Sequence, residues 1–206
     1  MWSIFDAESL YGRAVTKIMQ IIYLNILWLL FCLPVVTIGA STTALYYVTM
    51  KMARKEEGYI TKDFMRSFRQ NLRQGTVIWI MVAGGGFILL QDFRYFSYLN
   101  SMTGMIGTIL LAILYSLVAL MIFPVLSRFK NSTGNFFKLA LYIALRHIPS
   151  GLALAAMLCI IGYGIYTSVT IMLFAFICGG AVIAYCNSLL LNRILNLYIT
   201  EEQIHE

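Results

Sequence analysis

IMQIIYLNILWLLFCLPVVTIGASTTALYYVTM, residues 18–50, contains no Asp, Glu, Lys or Arg. A membrane-crossing helix needs about 20 consecutive apolar residues, so Ile18–Val36 is long enough to cross once. Pro34 disfavours helix at the residue before it, and TIGAST (37–42), small and uncharged, reads as a turn. From Ala44 to Met50 the chain is apolar again. Whether this second piece returns across the membrane decides the fold.

The rest of the chain makes the membrane setting plain. It is 60% hydrophobic and 12% charged, with a mean hydropathy of +0.80, whereas soluble domains are roughly 45–50% apolar and about 25% charged. Apolar segments recur from Ile18 to Leu191, which is not the single short N-terminal run of a cleaved export signal. In 206 residues there is room for about five or six spans and no separate soluble domain. The expected organisation is one transmembrane helical domain, 1–206. The net charge of +6 reports which loops stay in the cytoplasm, and no nucleic-acid partner is expected.

Charge asymmetry is the criterion for counting spans. If the second piece crosses, the spans are six, near 18–36, 38–50, 76–90, 102–126, 151–166 and 168–191, and fourteen of the fifteen Lys and Arg residues fall on one side. Only Arg94 lies opposite. Five spans, the alternative, divide them twelve to three. The expectation is therefore a polytopic all-α bundle of about six spans in the cell membrane, with both termini and 51–75 cytoplasmic and 37–42 outside.

Two cytoplasmic connections read as helices at the membrane surface. Gly58 reads as a helix stop, Thr61 as a cap, and Gly75 as the end of a helix over 59–74. At 100° per residue Phe64, Met65, Phe68 and Leu72 form one sector, and Lys62, Arg66, Arg69 and Arg73 form another about 120° away. The apolar sector is expected to face the membrane and the basic one to meet anionic lipid or a partner. The second surface helix, 135–147, carries Lys138, Tyr142 and Arg146 as a stripe at i, i+4, i+8.

Catalytic chemistry has little to work with. The two histidines are His147, at a membrane boundary, and His205, in the tail. Glu56 and Glu57 sit among Lys51, Arg54 and Lys55 as a solvated network. Cys32, Cys159, Cys178 and Cys186 fall in apolar runs without metal-ligand spacing. No catalytic residue, metal or cofactor is expected, and the protein does not read as an enzyme. The spans also lack the ionisable groups of a transport path; Asn25, Ser116, Thr170 and Asn187 read as interhelical hydrogen-bonding positions.

NILWLLFCLPVVTIGASTTALYYVTMKMARKEEGYITKDFMRSFRQNLRQGTVIW (25–79) and FPVLSRFKNS (123–132) resemble the YesL-like family of small bacterial integral membrane proteins. The hairpin signature falls on Asn25, Trp28, Pro34, Thr37, Gly39, Ala44, Leu45 and Tyr46. A second falls on Gly58, Tyr59, Phe64, Phe68, Asn71 and Trp79, and a third on Pro124, Arg128 and Phe129. The family has no established activity; the resemblance implies an association with carbohydrate uptake, near sugar ABC importers. The expected function is that of an accessory membrane protein which binds or modulates a sugar importer complex through its basic cytoplasmic helix. The alternative is a small transporter or permease-like subunit acting as a homo-oligomer. The partners expected are the lipid bilayer and sugar ABC importer subunits.

Overall fold

A computed structural model of the chain describes residues 10–56, 58–129, 133–146 and 148–204, and every regular element among them is helical. Four of the helical stretches are long and apolar enough to cross a membrane: Ala14–Cys32, Ile60–Tyr98, Met102–Arg128 and Ala175–Arg193.

Helix α1 (Leu10–Cys32) stops just before Pro34, which has extended backbone and opens a 3-10 turn over Val35–Thr37. Helix α2 (Ile38–Ala53) then folds back on α1. Thr37 closes this corner by donating its hydroxyl to the carbonyls of Phe31 and Pro34, both at 2.7 Å. Ser41 donates to the Trp28 carbonyl at 3.0 Å, and the Trp28 indole donates to Thr42 Oγ1 at 3.3 Å.

Helix α2 is the hub. At about 1.5 Å per residue its sixteen residues reach only about 24 Å, short of the roughly 30 Å apolar layer. It is buried along most of its length, from Gly39 to Met50, by α1, α3, α4 and α8. Small residues at 39, 40, 41 and 44 permit that crowding. Its end is set by Lys55, whose φ of 57° is left-handed, and not by Gly58.

Helix α3 (Ile60–Tyr98) overturns the expected surface helix. The segment 59–74 is not a separate element ending at Gly75: the helix runs on without a break into the apolar stretch that follows. Gly75 is buried against α2, and a Cβ built on it would lie 2.9 Å from both Cα and N of Ala40. At the other end Lys51 of α2 pairs with Asp63 of α3 at 2.8 Å. The two contacts make α2 and the first sixteen residues of α3 an antiparallel pair along the whole of α2.

Six spans are not confirmed, since four stretches qualify among the described residues, and the pairing bears on which side each segment takes. Residues 37–42 and 73–75 touch through Gly39, Ala40 and Gly75, so they lie at one depth and cannot occupy opposite faces of a bilayer. Ser41 and Ser67, expected outside and inside, are both buried in the protein.

Helix α4 (Met102–Arg128) follows a turn whose Asn100 has a φ of 49°, and Ser101 caps it by accepting from the Gly104 amide. It runs antiparallel to the distal half of α3: Phe96 packs on Gly104, and Tyr115 donates to the Val82 carbonyl. This distal hairpin exposes Ile80, Phe87, Leu90, Leu110 and Ile113, the surface a lipid-facing pair of spans presents. Helix α5 (Thr133–Arg146) buries Phe136, Ala140, Ile143 and Ala144, while Lys138, Tyr142 and Arg146 form the exposed stripe on its other side. Helix α6 (Ile148–Thr167) and α7 (Val169–Phe174) lead into a π-helical turn, Ala175–Gly179, and then α8 (Gly180–Ile204).

The π turn is held from α1. Asn25, fully buried, donates its amide to the carbonyls of Phe176 at 2.8 Å and Ile177 at 2.9 Å, and its Oδ1 accepts from the Ala181 amide at 3.0 Å. A π turn widens the backbone ladder, and one carboxamide satisfies three of the groups at that break. Farther along α8 the join to α2 is also polar. Asn187 bonds the Tyr46 hydroxyl, Ser188 bonds Thr49, and Asn192 donates to the Met50 carbonyl and accepts from Arg54.

Candidate functional site: the basic side of the third helix and its cavity

The first half of α3 sorts its residues as an amphipathic helix does, but its apolar side faces protein. Phe64 has no exposed surface and Phe68 is buried. Their rings lie 5.6 and 4.8 Å from that of Phe31 on α1. The expectation that Phe64, Met65, Phe68 and Leu72 form the membrane-facing side is corrected accordingly. The phenylalanines are core, Met65 packs against that core, and Leu72 alone of the four is exposed. The physical reason is α2, whose small residues and nearly complete burial bring α3 close enough to cover that face.

On the other side Lys62, Arg66, Arg69 and Arg73 are all exposed. None of the four makes an ion pair or side-chain hydrogen bond among the described residues. The nearby acids are already engaged. Asp63 holds Lys51, and this hydrogen bond keeps the Lys51 ammonium protonated to higher pH than usual. Glu56 is gripped by Arg54 through both carboxylate oxygens, which holds its carboxyl below the usual range. Gly58 explains itself here: a Cβ would fall 2.3 Å from Asp63 Oδ2, so the ion pair leans on a bare backbone.

Beside this basic face lies a cavity of about 640 Å³ between α2, α3 and the end of α4. Arg66, Gln70 and Gln74 line it from successive turns of α3, with Ser67 and Asn71 behind them; Ser127 and Arg128 face them from α4, and Tyr47 closes it from α2. Among the described residues no Asp or Glu lines it. Asn71 donates to the Ser67 carbonyl at 2.9 Å, which fixes its side chain. Arg66, Asn71, Arg128 and Phe129 were each singled out in the sequence and meet at this cavity. The glutamines were not, although Arg66, Gln70 and Gln74 repeat at i, i+4, i+8 and so mark one polar stripe.

The family hairpin residues serve different ends. Asn25 and Trp28 meet at Gly180, where a Cβ would lie 2.6 Å from the Trp28 ring and 3.0 Å from Asn25 Oδ1. Pro34 and Thr37 shape the corner, and Gly39 admits α3. A separate apolar cavity of about 620 Å³ lies under Trp28, Trp79 and Phe123, next to the π turn.

This same corner and hub are where known sequences agree with the chain. A family model described as "Protein of unknown function, DUF624" matches residues 21–93, which takes in α1 from Ile21, all of α2 and most of α3. A curated relative, "Uncharacterized protein YesL" of Bacillus subtilis (strain 168), is 25% identical over 145 residues, 68% of this chain and 69% of the relative. Over about two thirds of its length the chain is thus similar in sequence to YesL. No solved structure matches it. The matched segment 21–93 thus contains Asn25, the Gly39–Gly75 contact and the exposed cations Lys62, Arg66, Arg69 and Arg73, whereas the α4 side of the polar cavity lies beyond it.

Proposed function

We propose that this YesL-like chain is an accessory membrane protein of carbohydrate uptake, and that it binds a sugar importer complex through the basic side of α3. The observation that carries the reading is the set of four exposed cations, Lys62, Arg66, Arg69 and Arg73, without in-chain partners among the described residues. They stand on a helix whose opposite side is locked into the core by Phe64 and Phe68. Orientation in the membrane needs only an excess of Lys and Arg near span ends. A rigid row of cations does more: it offers a fixed pattern to an acidic surface and speeds encounter with it. The cell membrane is the proposed location, with this face on the cytoplasmic side.

Arg69→Glu with Arg73→Glu tests the reading, because both side chains lie outside the cavity lining. The variant should reach the membrane at normal abundance, lose the importer subunits that copurify in gentle detergent, and lose any effect on sugar uptake. Unchanged copurification and uptake in a correctly inserted variant would refute it.

A further inference from the structure

We infer that a further cavity, between α3, α4 and α5, binds a single-chain amphiphile carrying one ammonium group, with the ammonium on Asp92 and the alkyl chain in the cavity. The site uses none of the docking cations. Those stand on the first half of α3, from Lys62 to Arg73, whereas this cavity lies along the distal half, from Val82 to Asp92.

Helix register places the carboxylate. Val82, Gly85, Leu89 and Asp92 recur at i, i+3, i+7 and i+10, a single stripe of α3, and all four line the cavity. Asp92 is half-buried and makes no ion pair or hydrogen bond among the described residues. Arg94 on the same helix and Lys138 on α5 are both exposed and do not pair with it. Asp92 lies about 9 Å short of the end of α3 at Tyr98, within a stretch long and apolar enough to cross a membrane. A carboxylate kept there without a cation is costly, and an acid in a span marks a place where something positive binds.

The walls select the rest of the ligand. Among the described residues Tyr115 is the one other polar side chain in the lining, and its hydroxyl already donates to the Val82 carbonyl. Leu111 and Val118 of α4 and Phe137 of α5 complete an apolar wall. The cavity measures about 430 Å³, within the roughly 300–1,000 Å³ of small-molecule sites. From Val82 to Asp92 it extends about 15 Å along α3, which suits one extended alkyl chain. Ile88 and Leu111 line it and are nevertheless 61% and 54% exposed. Its opening is therefore rimmed by apolar side chains and faces lipid, so the ligand must already partition into the bilayer. Among the described residues no Lys, Arg or His lines the cavity, and nothing there would receive the phosphate of a zwitterionic phospholipid. A single positive charge on an apolar chain is the match to a single carboxylate on an apolar wall.

The experiment keeps the full chain in nanodiscs of phosphatidylcholine. Dodecylamine, dodecanol and dodecanoate are each titrated into the bilayer, and amphiphile retained per chain is counted by native mass spectrometry. Dodecylamine should saturate a single site and bind at least about tenfold more tightly than the alcohol, the usual scale for a charge-assisted bond. Dodecanoate should not be retained. Asp92→Asn should weaken the amine about tenfold and move the alcohol by less than about twofold, a split that a merely structural role would not produce. Asp92→Glu keeps the charge and should keep the preference. Arg94→Gln, which removes a charge from the other side of the helix, should change amine binding by less than about twofold. Equal retention of amine and alcohol by the natural protein would reduce the effect to partitioning into lipid and overturn the proposal. Equal losses of both in Asp92→Asn, or an amine that fails to saturate, would do the same.

Discussion

Alanine at Gly39 would place a Cβ 2.3 Å from the Gly75 carbonyl oxygen and 2.7 Å from Trp79 Cβ. Neither neighbour is the free end of a side chain, so no rotamer change relieves the contact. To bring the oxygen to 3.0 Å, the shortest separation real Cβ atoms show, α2 and α3 must part by about 0.7 Å. A gap of about 0.5–1 Å forfeits roughly a quarter to a half of the dispersion attraction between the atoms it separates, and overpacking of this kind costs about 1–3 kcal/mol. Alanine returns up to about 1 kcal/mol through helix propensity. The net expectation for Gly39→Ala is a loss of about 1 kcal/mol, or a drop of about 2–4 °C for a chain of this length. Gly84→Ala is the internal control, since nothing lies within 4 Å of a Cβ there; it should be neutral or slightly stabilising. Thermal unfolding in mild detergent, followed by tryptophan fluorescence, reads both, and Trp79 reports from the contact itself. If Gly39→Ala melts with or above Gly84→Ala, the close crossing of α2 and α3 is wrong.

Other outcomes follow from the same contacts. Asn25→Leu strips three backbone groups at the π turn of their partners and should cost about 2–4 kcal/mol, lowering the melting temperature and speeding amide exchange around 176–181. Because Arg54 holds the Glu56 carboxyl low, the ion pair stabilises the fold above the usual carboxylate value of 4.5 and that contribution fades as pH falls through the folded value; the gap in melting temperature between the protein and Glu56→Gln should therefore close on going from pH 6 to about pH 3. In a background without the native cysteines, single cysteines at Arg73 and Arg94, about 32 Å apart along α3, should label from opposite sides of the membrane. A cysteine at Val36 should never label from the side opposite Arg73, since the α1–α2 corner touches Gly75.

Much of the hairpin was legible because its residues are each suited to one task. Pro34 disfavours helix at the residue before it and so marks the end of α1, and Asn25 in an apolar helix demands partners from a neighbour. The misreadings came from residues suited to two. A glycine after an amphipathic run marks a helix stop as readily as a close crossing, and Gly75 is the second. The period of Phe64, Met65, Phe68 and Leu72 identifies an apolar side but not what covers it, lipid or protein; that depends on α2, which the spacing within α3 does not contain. The charge split had the same limit, for it assigns segments to sides only after they are assumed to cross. The polar cavity was half legible: Arg66 and Arg128 stood out singly, but their meeting requires the antiparallel return of α4.

The bond from Asn25 to the π turn joins residues 151 positions apart, and that separation is also an interval of time. Translation at about 5–20 residues per second leaves Asn25 in the nascent chain for roughly 8–30 s before its partners exist. Tyr46 and Thr49, whose bonds reach Asn187 and Ser188, wait nearly as long. The hub helix is thus made early and completed last, and while α8 is still inside the ribosome its polar side must be sheltered by the insertion machinery or by lipid headgroups. Truncation of α8 ahead of Asn187 should accordingly yield a chain that is cleared by membrane proteases, because Tyr46, Thr49 and Met50 then lose their partners.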